Sequence, residues 1–163
     1  MANPRKLTFH YVQHPTWASL PKEDRKLLDQ AMAAARKAYA PYSKFKVGAA
    51  VQLEEGPVVT GSNQENASFP AGTCAERTAL HAALAADPKA VVECVAIVVP
   101  QLKRQVPVSP CGICRQALLE QEHRQGSPIR LLMGTRKGIV IETFSAESLL
   151  PLAFDGSFLG RRR

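Results

Sequence analysis

Three cysteines and one glutamate are the residues of this 163-residue chain best placed to do chemistry. Cys111-Gly112-Ile113-Cys114 sets two thiols at i and i+3. Residues so spaced share a helix face, so a helix opening there aims both sulfurs at one point. Cys74 stands in a similar setting, in Thr73-Cys74-Ala75-Glu76 ahead of a run rich in Ala and Leu. Two helix N-termini converging on three thiolates make physical sense, because positive helix ends stabilise negative sulfur and lower its pKa. Such sulfurs suit zinc, which is tetrahedral with Zn–S of about 2.3 Å; three protein ligands leave one position open for water, the mark of a catalytic site. An ion held that way lowers the pKa of water from about 15.7 toward about 7. Glu76, two residues beyond Cys74, is then placed to carry the proton.

Each feature also has a plainer reading. The fourth cysteine, Cys94, could close a four-sulfur structural site and make the protein a binding module. It lies within the apolar run Cys94-Val95-Ala96-Ile97-Val98-Val99 with no partner at ligand spacing, and so reads as a buried small hydrophobe. Thr73-x-x-Glu76 fits a capping box, in which the carboxylate merely caps its helix. His10, His14, His81 and His123 match no metal spacing. Cysteines in a chain with no export segment point toward metal binding, catalysis or burial rather than disulfides.

Periodicity and punctuation give the secondary structure that carries these residues. A helix is expected from Pro21 to about Tyr39, with Leu28, Met32, Ala35 and Tyr39 on its apolar face, Glu23 and Asp24 at its positive end, and Pro41 as its stop. Residues 47–53 and 57–62 read as a strand pair around Glu54-Glu55-Gly56. A second helix covers 75–86, and Cys94 to Val99 forms a central strand covered on both faces. A third helix runs from Cys111 to Arg124, with Ser109 as N-cap and Pro110 as first helical residue. Strands near 129–133 and 138–143 and a helical turn at 146–150 complete the pattern. Strands alternating with helices predict a layered α/β fold.

Composition narrows the function classes. The chain is long enough for one domain with a core of its own, and 45% hydrophobic with 21% charged residues is ordinary for a globular protein. Residues 1–20 read as an N-terminal extension in which Leu7, Phe9 and Tyr11 alternate like a strand; 21–158 form the domain, and 159–163 a basic tail. No apolar run approaches the ~18 residues a membrane span needs, which predicts a cytoplasmic protein without a membrane partner. Twenty-one Lys and Arg against 14 Asp and Glu give +7, of which Arg161, Arg162 and Arg163 supply three. The remaining cations, among them Arg5-Lys6, Lys44, Lys46, Lys103-Arg104 and Arg136-Lys137, are scattered, and so are the aromatics. Nucleic-acid surfaces concentrate both, so this balance argues against a nucleic-acid partner.

Thr73-Cys74-Ala75-Glu76-Arg77 and Pro110-Cys111-Gly112-Ile113-Cys114-Arg115-Gln116 resemble the cytidine deaminase family, in its small three-cysteine, tetrameric branch. Collinear matches extend the resemblance over residues 21–158: Tyr42-Ser43-Lys44-Phe45-Lys46-Val47-Gly48-Ala49-Ala50, Asn63-Gln64-Glu65-Asn66-Ala67 and Leu149-Leu150-Pro151-Leu152-Ala153-Phe154. It implies the finer form of the α/β fold, a three-layer α/β/α sandwich around a mixed, roughly five-stranded sheet. It also implies one zinc ion per subunit on Cys74, Cys111 and Cys114, and zinc-bound hydroxide attacking C4 of a cytosine nucleoside while Glu76 shuttles protons. It further implies Phe45 against the pyrimidine, Asn63 and Glu65 on the ribose, and the main chain at Ala75 on the base edge. Arg77 would donate to the cysteine sulfurs and offset their excess negative charge. Phe69 and Phe154 would enter a neighbouring subunit's pocket in a homotetramer. Gln64, where an aliphatic residue is expected, and Phe69, where tyrosine is common, depart from the pattern and bear on substrate breadth.

The expected function is therefore hydrolytic deamination of cytidine and 2′-deoxycytidine in pyrimidine salvage. The rivals are a deaminase of a modified cytosine nucleoside such as blasticidin S, an editor of RNA or single-stranded DNA, and the closed-zinc binding module. Cys94 separates the last from the rest. Cys94→Ser should keep its zinc, measured as metal per chain after gel filtration; loss of the metal would point to the closed structural site.

Overall fold

The computed structural model describes residues 2–102, 106–136 and 138–160. Lys103-Arg104, Lys137 and the arginines at 161–163 lie outside the described residues.

The apolar run beginning at Cys94 belongs to strand β4, Val92–Val99, almost wholly buried. A strand with no polar face must be covered on both sides, and so it lies in the interior of the sheet. Its neighbours are β2 (Gly48–Leu53) and β5 (Arg130–Thr135). With β1 (Val12–His14), β3 (Val59–Ser62) and β6 (Val140–Thr143), the order across the sheet is β1-β6-β5-β4-β2-β3. Among the strands of the described residues only β4 and β5 run parallel, from Cys94 opposite Arg130 to Val99 opposite Thr135. Parallel neighbours need a crossover, and helix α3, Gly112–Gln125, supplies it.

Period-two alternation sorts the sheet residues into two cores. Ala49, Val51, Val95, Ile97, Leu131 and Met133 face helix α2, Ala75–Ala86, and Leu118 of α3. Ala50, Cys94, Ala96, Val98, Leu132 and Val140 face Leu27, Leu28 and Ala31 of helix α1, Lys22–Ala35, together with Trp17 and Leu20. Helices thus cover both sides of a mixed sheet, as the three-layer expectation requires. No helix among the described residues is long and apolar enough to cross a membrane.

The sheet has six strands rather than five. The sixth, β1, pairs antiparallel with β6, setting Val12 opposite Glu142 and His14 opposite Val140. His14 Nε2 also lies 2.7 Å from Glu142 Oε2. The alternation of Leu7, Phe9 and Tyr11 forms no strand; these side chains stay exposed, because no sheet edge runs beside them. Helix α1 starts one residue later than expected, with Pro21 as its cap, and ends at Ala35. Tyr39 is not on its buried face. Its backbone has left the helix to bond the 63–65 segment, Tyr39 N–H donating to Asn63 O at 3.1 Å and Glu65 N–H to Tyr39 O at 2.8 Å.

Asp24 is buried at the N-terminus of α1, where Arg130 Nη1 of β5 donates to its Oδ2 at 2.9 Å. The same Nη1 donates to Glu142 Oε1 at 2.9 Å, so one guanidinium ties α1 to β5 and β6. Asp24 foremost, then the other nearby anions, outweigh partial burial and raise the Arg130 pKa.

Gly61 sets how closely α2 approaches the sheet. A Cβ there would lie 2.4 Å from Ala79 N and 2.7 Å from Ala75 O, so the first turns of α2 rest on bare β3 backbone. Overpacking of this kind costs about 1–3 kcal/mol. Gly61→Ala should therefore lower Tm in calorimetry by roughly 2–4 °C for each kcal/mol lost. An unchanged Tm would show that the contact is slack.

Candidate active site

Both helices that approach the site are capped by a cysteine. Cys74 is the N-cap of α2 and Cys111 the N-cap of α3, and neither cap side chain bonds a backbone N–H of its helix. The first turn of each therefore keeps donors free to face negative charge. Ser109 and Pro110 are not the start of α3 as the sequence led us to expect. Pro110 is buried ahead of the helix, whose first bond runs from Arg115 N–H to Cys111 O at 2.9 Å. The capping box of Thr73 and Glu76 does not form either. Thr73 is held in an extended bridge to Gln64, its N–H donating to Gln64 O at 2.9 Å, which moves the cap on to Cys74.

The geometry brings the three sulfurs together. Cys74 Sγ lies 3.8 Å from Cys111 Sγ, which lies 3.5 Å from Cys114 Sγ, and all three fall within 4.8 Å of one another. A tetrahedral ion with Zn–S near 2.3 Å sets its sulfurs about 3.8 Å apart, so these residues fit zinc. Cys94 takes no part; it is buried in the α1-facing core, and burial pushes its thiol up to about 12.

Charge at the cluster is unevenly shared. The Cys74 pKa is lowered to about 5, first by hydrogen bonding from the Cys114 thiol and then from Cys111 and Arg77. Cys114 is pushed up, since its proton is held by the Cys74 sulfur. Partial burial works against the Arg77 guanidinium, but the sulfurs of Cys114 and Cys74 outweigh it and raise its pKa. Its Nε is buried without a hydrogen-bond partner among the described residues. Glu76 is only 5% exposed in the first turn of α2. Burial, reinforced by the negative Cys74, raises its pKa, so a proton is easier to place on it than on a surface carboxylate.

Beside the cluster opens a cleft of about 620 Å³ whose walls include Asn63, Glu65, Phe69, Cys74, Arg77 and Ile113. Asn63 braces the 45–47 chain, its Nδ2 donating to Phe45 O and its Oδ1 accepting from Val47 N–H, both at 2.8 Å. Glu65 accepts from Tyr42 N–H at 2.9 Å, from Ser43 N–H at 3.3 Å and from the Ser43 hydroxyl. That hydroxyl is the largest cause of its lowered pKa, so Glu65 stays an ionised acceptor. Phe45 sits outside the cleft lining, partly exposed. Ala75 is fully buried, leaving only its main chain for contact. Phe69 stands at the cleft, edge-on to Tyr42 with ring centroids 6.3 Å apart. Phe154 lies away from it, stacked on Phe158. The residue pattern alone assigns no part to Tyr42, Ser43 or Ile113; the first two sit in a matched segment, and Ile113 between two ligand candidates, which was the available signal.

The comparisons with known proteins agree with this geometry. Residues 21–125 match the model of the cytidine and deoxycytidylate deaminase zinc-binding region. A cytidine deaminase of Halalkalibacterium halodurans is 42% identical over 128 residues, covering 78% of this chain and 91% of its own. One from Sporosarcina psychrophila is 40% identical, covering 79% and 89%. The crystal structure of cytidine deaminase from Burkholderia pseudomallei superposes with a TM-score of 0.71 at 42% identity, covering 83% of this chain and all of that one. Three sulfurs at two helix starts, the six-stranded sandwich and these likenesses together establish that the chain belongs to the zinc-binding cytidine and deoxycytidylate deaminase family.

Proposed function

We propose that the protein hydrolyses cytidine and 2′-deoxycytidine to the corresponding uridines and ammonia. The observation that carries this is the buried carboxyl of Glu76 against a three-sulfur cluster beside a nucleoside-sized cleft. Zinc bound by Cys74, Cys111 and Cys114 supplies a Lewis acid that lets water ionise near neutral pH. Glu76 takes the proton of the attacking water and delivers it to N3 of the ring. It then takes the second proton from the hydroxyl added at C4 and gives it to the amine, so that the C4–N bond breaks as the C4 carbonyl forms and ammonia leaves. Its raised pKa suits both directions of transfer. Arg77 offsets the negative charge of the sulfurs, so that the carboxyl works beside a less anionic cluster.

The other residues hold substrate. Glu65, fixed by Ser43 and Tyr42, keeps lone pairs for a ribose hydroxyl, and Asn63 keeps the second hydrogen of Nδ2. The family resemblance assigns Phe45 to the face of the pyrimidine, although the cleft lining does not include its ring, and the main chain at Ala75 to the base edge. Residues 21–158 form the catalytic domain, with 1–20 an extension and 159–163 a tail. The active form is a cytoplasmic homotetramer of pyrimidine salvage, in which Phe69 and Phe154 reach a neighbouring subunit's pocket; the exposure of both rings supports this. A second reading, a deaminase of a modified cytosine nucleoside such as blasticidin S, is favoured by Gln64 and Phe69, since both depart from the family pattern and both line the cleft.

An ultraviolet assay on cytidine, deoxycytidine, cytosine and blasticidin S separates the readings. Turnover of the first two, abolished by a chelator and restored by zinc, is expected; turnover of blasticidin S alone would favour the second reading. Glu76→Gln should keep one zinc per chain and lose about 10²–10⁴ in kcat/KM, the usual size of a general acid–base contribution. Normal deamination by that variant would reduce Glu76 to a structural residue.

A further inference from the structure

Arg115 and Gln116 directly follow Cys114, and the proposed reaction uses neither. Both side chains are half-buried, and both bond backbone outside their own helix. The Arg115 guanidinium engages all three nitrogens. Nε donates to Pro110 O at 2.8 Å, Nη2 to Ser109 Oγ at 3.0 Å, and Nη1 to Leu149 O at 3.0 Å. Gln116 Nε2 donates to Phe154 O at 2.9 Å. The first turn of α3 is thus braced on two sides, against the chain entering it and against the C-terminal segment beyond Ala146.

The brace bears on one sulfur in particular. Ser109 and Pro110 are the two residues immediately before Cys111. Of the three clustered cysteines, Cys114 is buried, Cys74 is half-buried and Cys111 is exposed. Cys111 is also an N-cap, so the helix constrains it only from its C-terminal side, through the Arg115 N–H bond to its carbonyl. Its N-terminal side is held by what holds Pro110. A planar guanidinium presents donors in a fixed fork and can lock three acceptors into one arrangement, which an ammonium on a flexible stem cannot.

We propose that Arg115 is a positioning residue for the Cys111 sulfur, cross-bracing Ser109 and Pro110 against Leu149 so that Cys111 is presented to the metal. It touches neither metal nor substrate and acts through the backbone at Pro110. The proposal rests on the reading of Cys111 as a zinc ligand. Partners outside the ligand set typically alter metal affinity by about 10–100-fold when removed.

The test uses the full chain and reads zinc affinity by competition with a chromophoric chelator, alongside Tm with and without zinc. Arg115→Gln should weaken zinc binding by about tenfold or more, with Arg115→Lys giving no rescue. Ser109→Ala removes one acceptor from an exposed position and should fall between wild type and Arg115→Gln. The Tm gained on adding zinc should shrink in the same order. Zinc affinity within about twofold of wild type in Arg115→Gln overturns the proposal, as does an equal loss of Tm with and without metal. If Arg115→Gln does not fold, unchanged affinity in Ser109→Ala overturns it. A wild-type chain that binds no zinc removes the metal reading itself, and the brace with it.

Discussion

Sulfur atoms crowded within 4.8 Å of one another repel as thiolates unless something positive faces them. That constraint organises this protein. Two helices begin at cysteines whose side chains bond no backbone N–H of their helix, so their positive ends face the sulfurs, and Arg77 adds a full positive charge beside Cys74 and Cys114. Even so, the sulfurs share their protons unequally, with the Cys74 pKa lowered and that of Cys114 raised. A divalent ion resolves that imbalance, because all three sulfurs can then be anionic together. The fold serves this arrangement by making two helix starts meet. Gly61 lets α2 rest on β3, and the crossover between β4 and β5 delivers α3 on the same side of the sheet.

The same crowding explains the division of labour among nearby carboxylates. Glu76, buried against negative sulfur, is biased toward holding a proton, whereas Glu65, only half-buried and fed by three donors, is biased toward staying ionised. Side chains of one chemical type thereby serve two purposes, proton transfer in one place and acceptance of hydroxyl hydrogen bonds in the other. Burial and hydrogen bonding set the difference.

Much of this was legible in the residues themselves. The uninterrupted apolar run from Cys94 to Val99 identified a strand covered on both faces, and the Ala- and Leu-rich stretch of 75–86 gave α2 its bounds. Cysteine spacing predicted the sulfur cluster. What periodicity could not supply were events decided by distant partners. Leu7, Phe9 and Tyr11 alternate as a strand should, yet the edge available for pairing lies beside Val12–His14, because β6 stops there. Thr73 has the chemistry of an N-cap, yet its bridge to Gln64 keeps it extended. Tyr39 completes a helical stripe, yet the 63–65 segment captures its backbone first. At Thr73 and Tyr39 a local preference of about 1 kcal/mol yields to a tertiary hydrogen bond of similar or greater worth, whereas at Leu7–Tyr11 the partner strand is missing.

X-ray absorption at the zinc edge, recorded on the metal-loaded protein, reads the ligand shell of the three-cysteine site without an intermediary. Three sulfur neighbours near 2.3 Å and one oxygen or nitrogen at shorter distance are expected. A shell of four sulfurs, or one built from histidine and carboxylate, would contradict the site described for Cys74, Cys111 and Cys114.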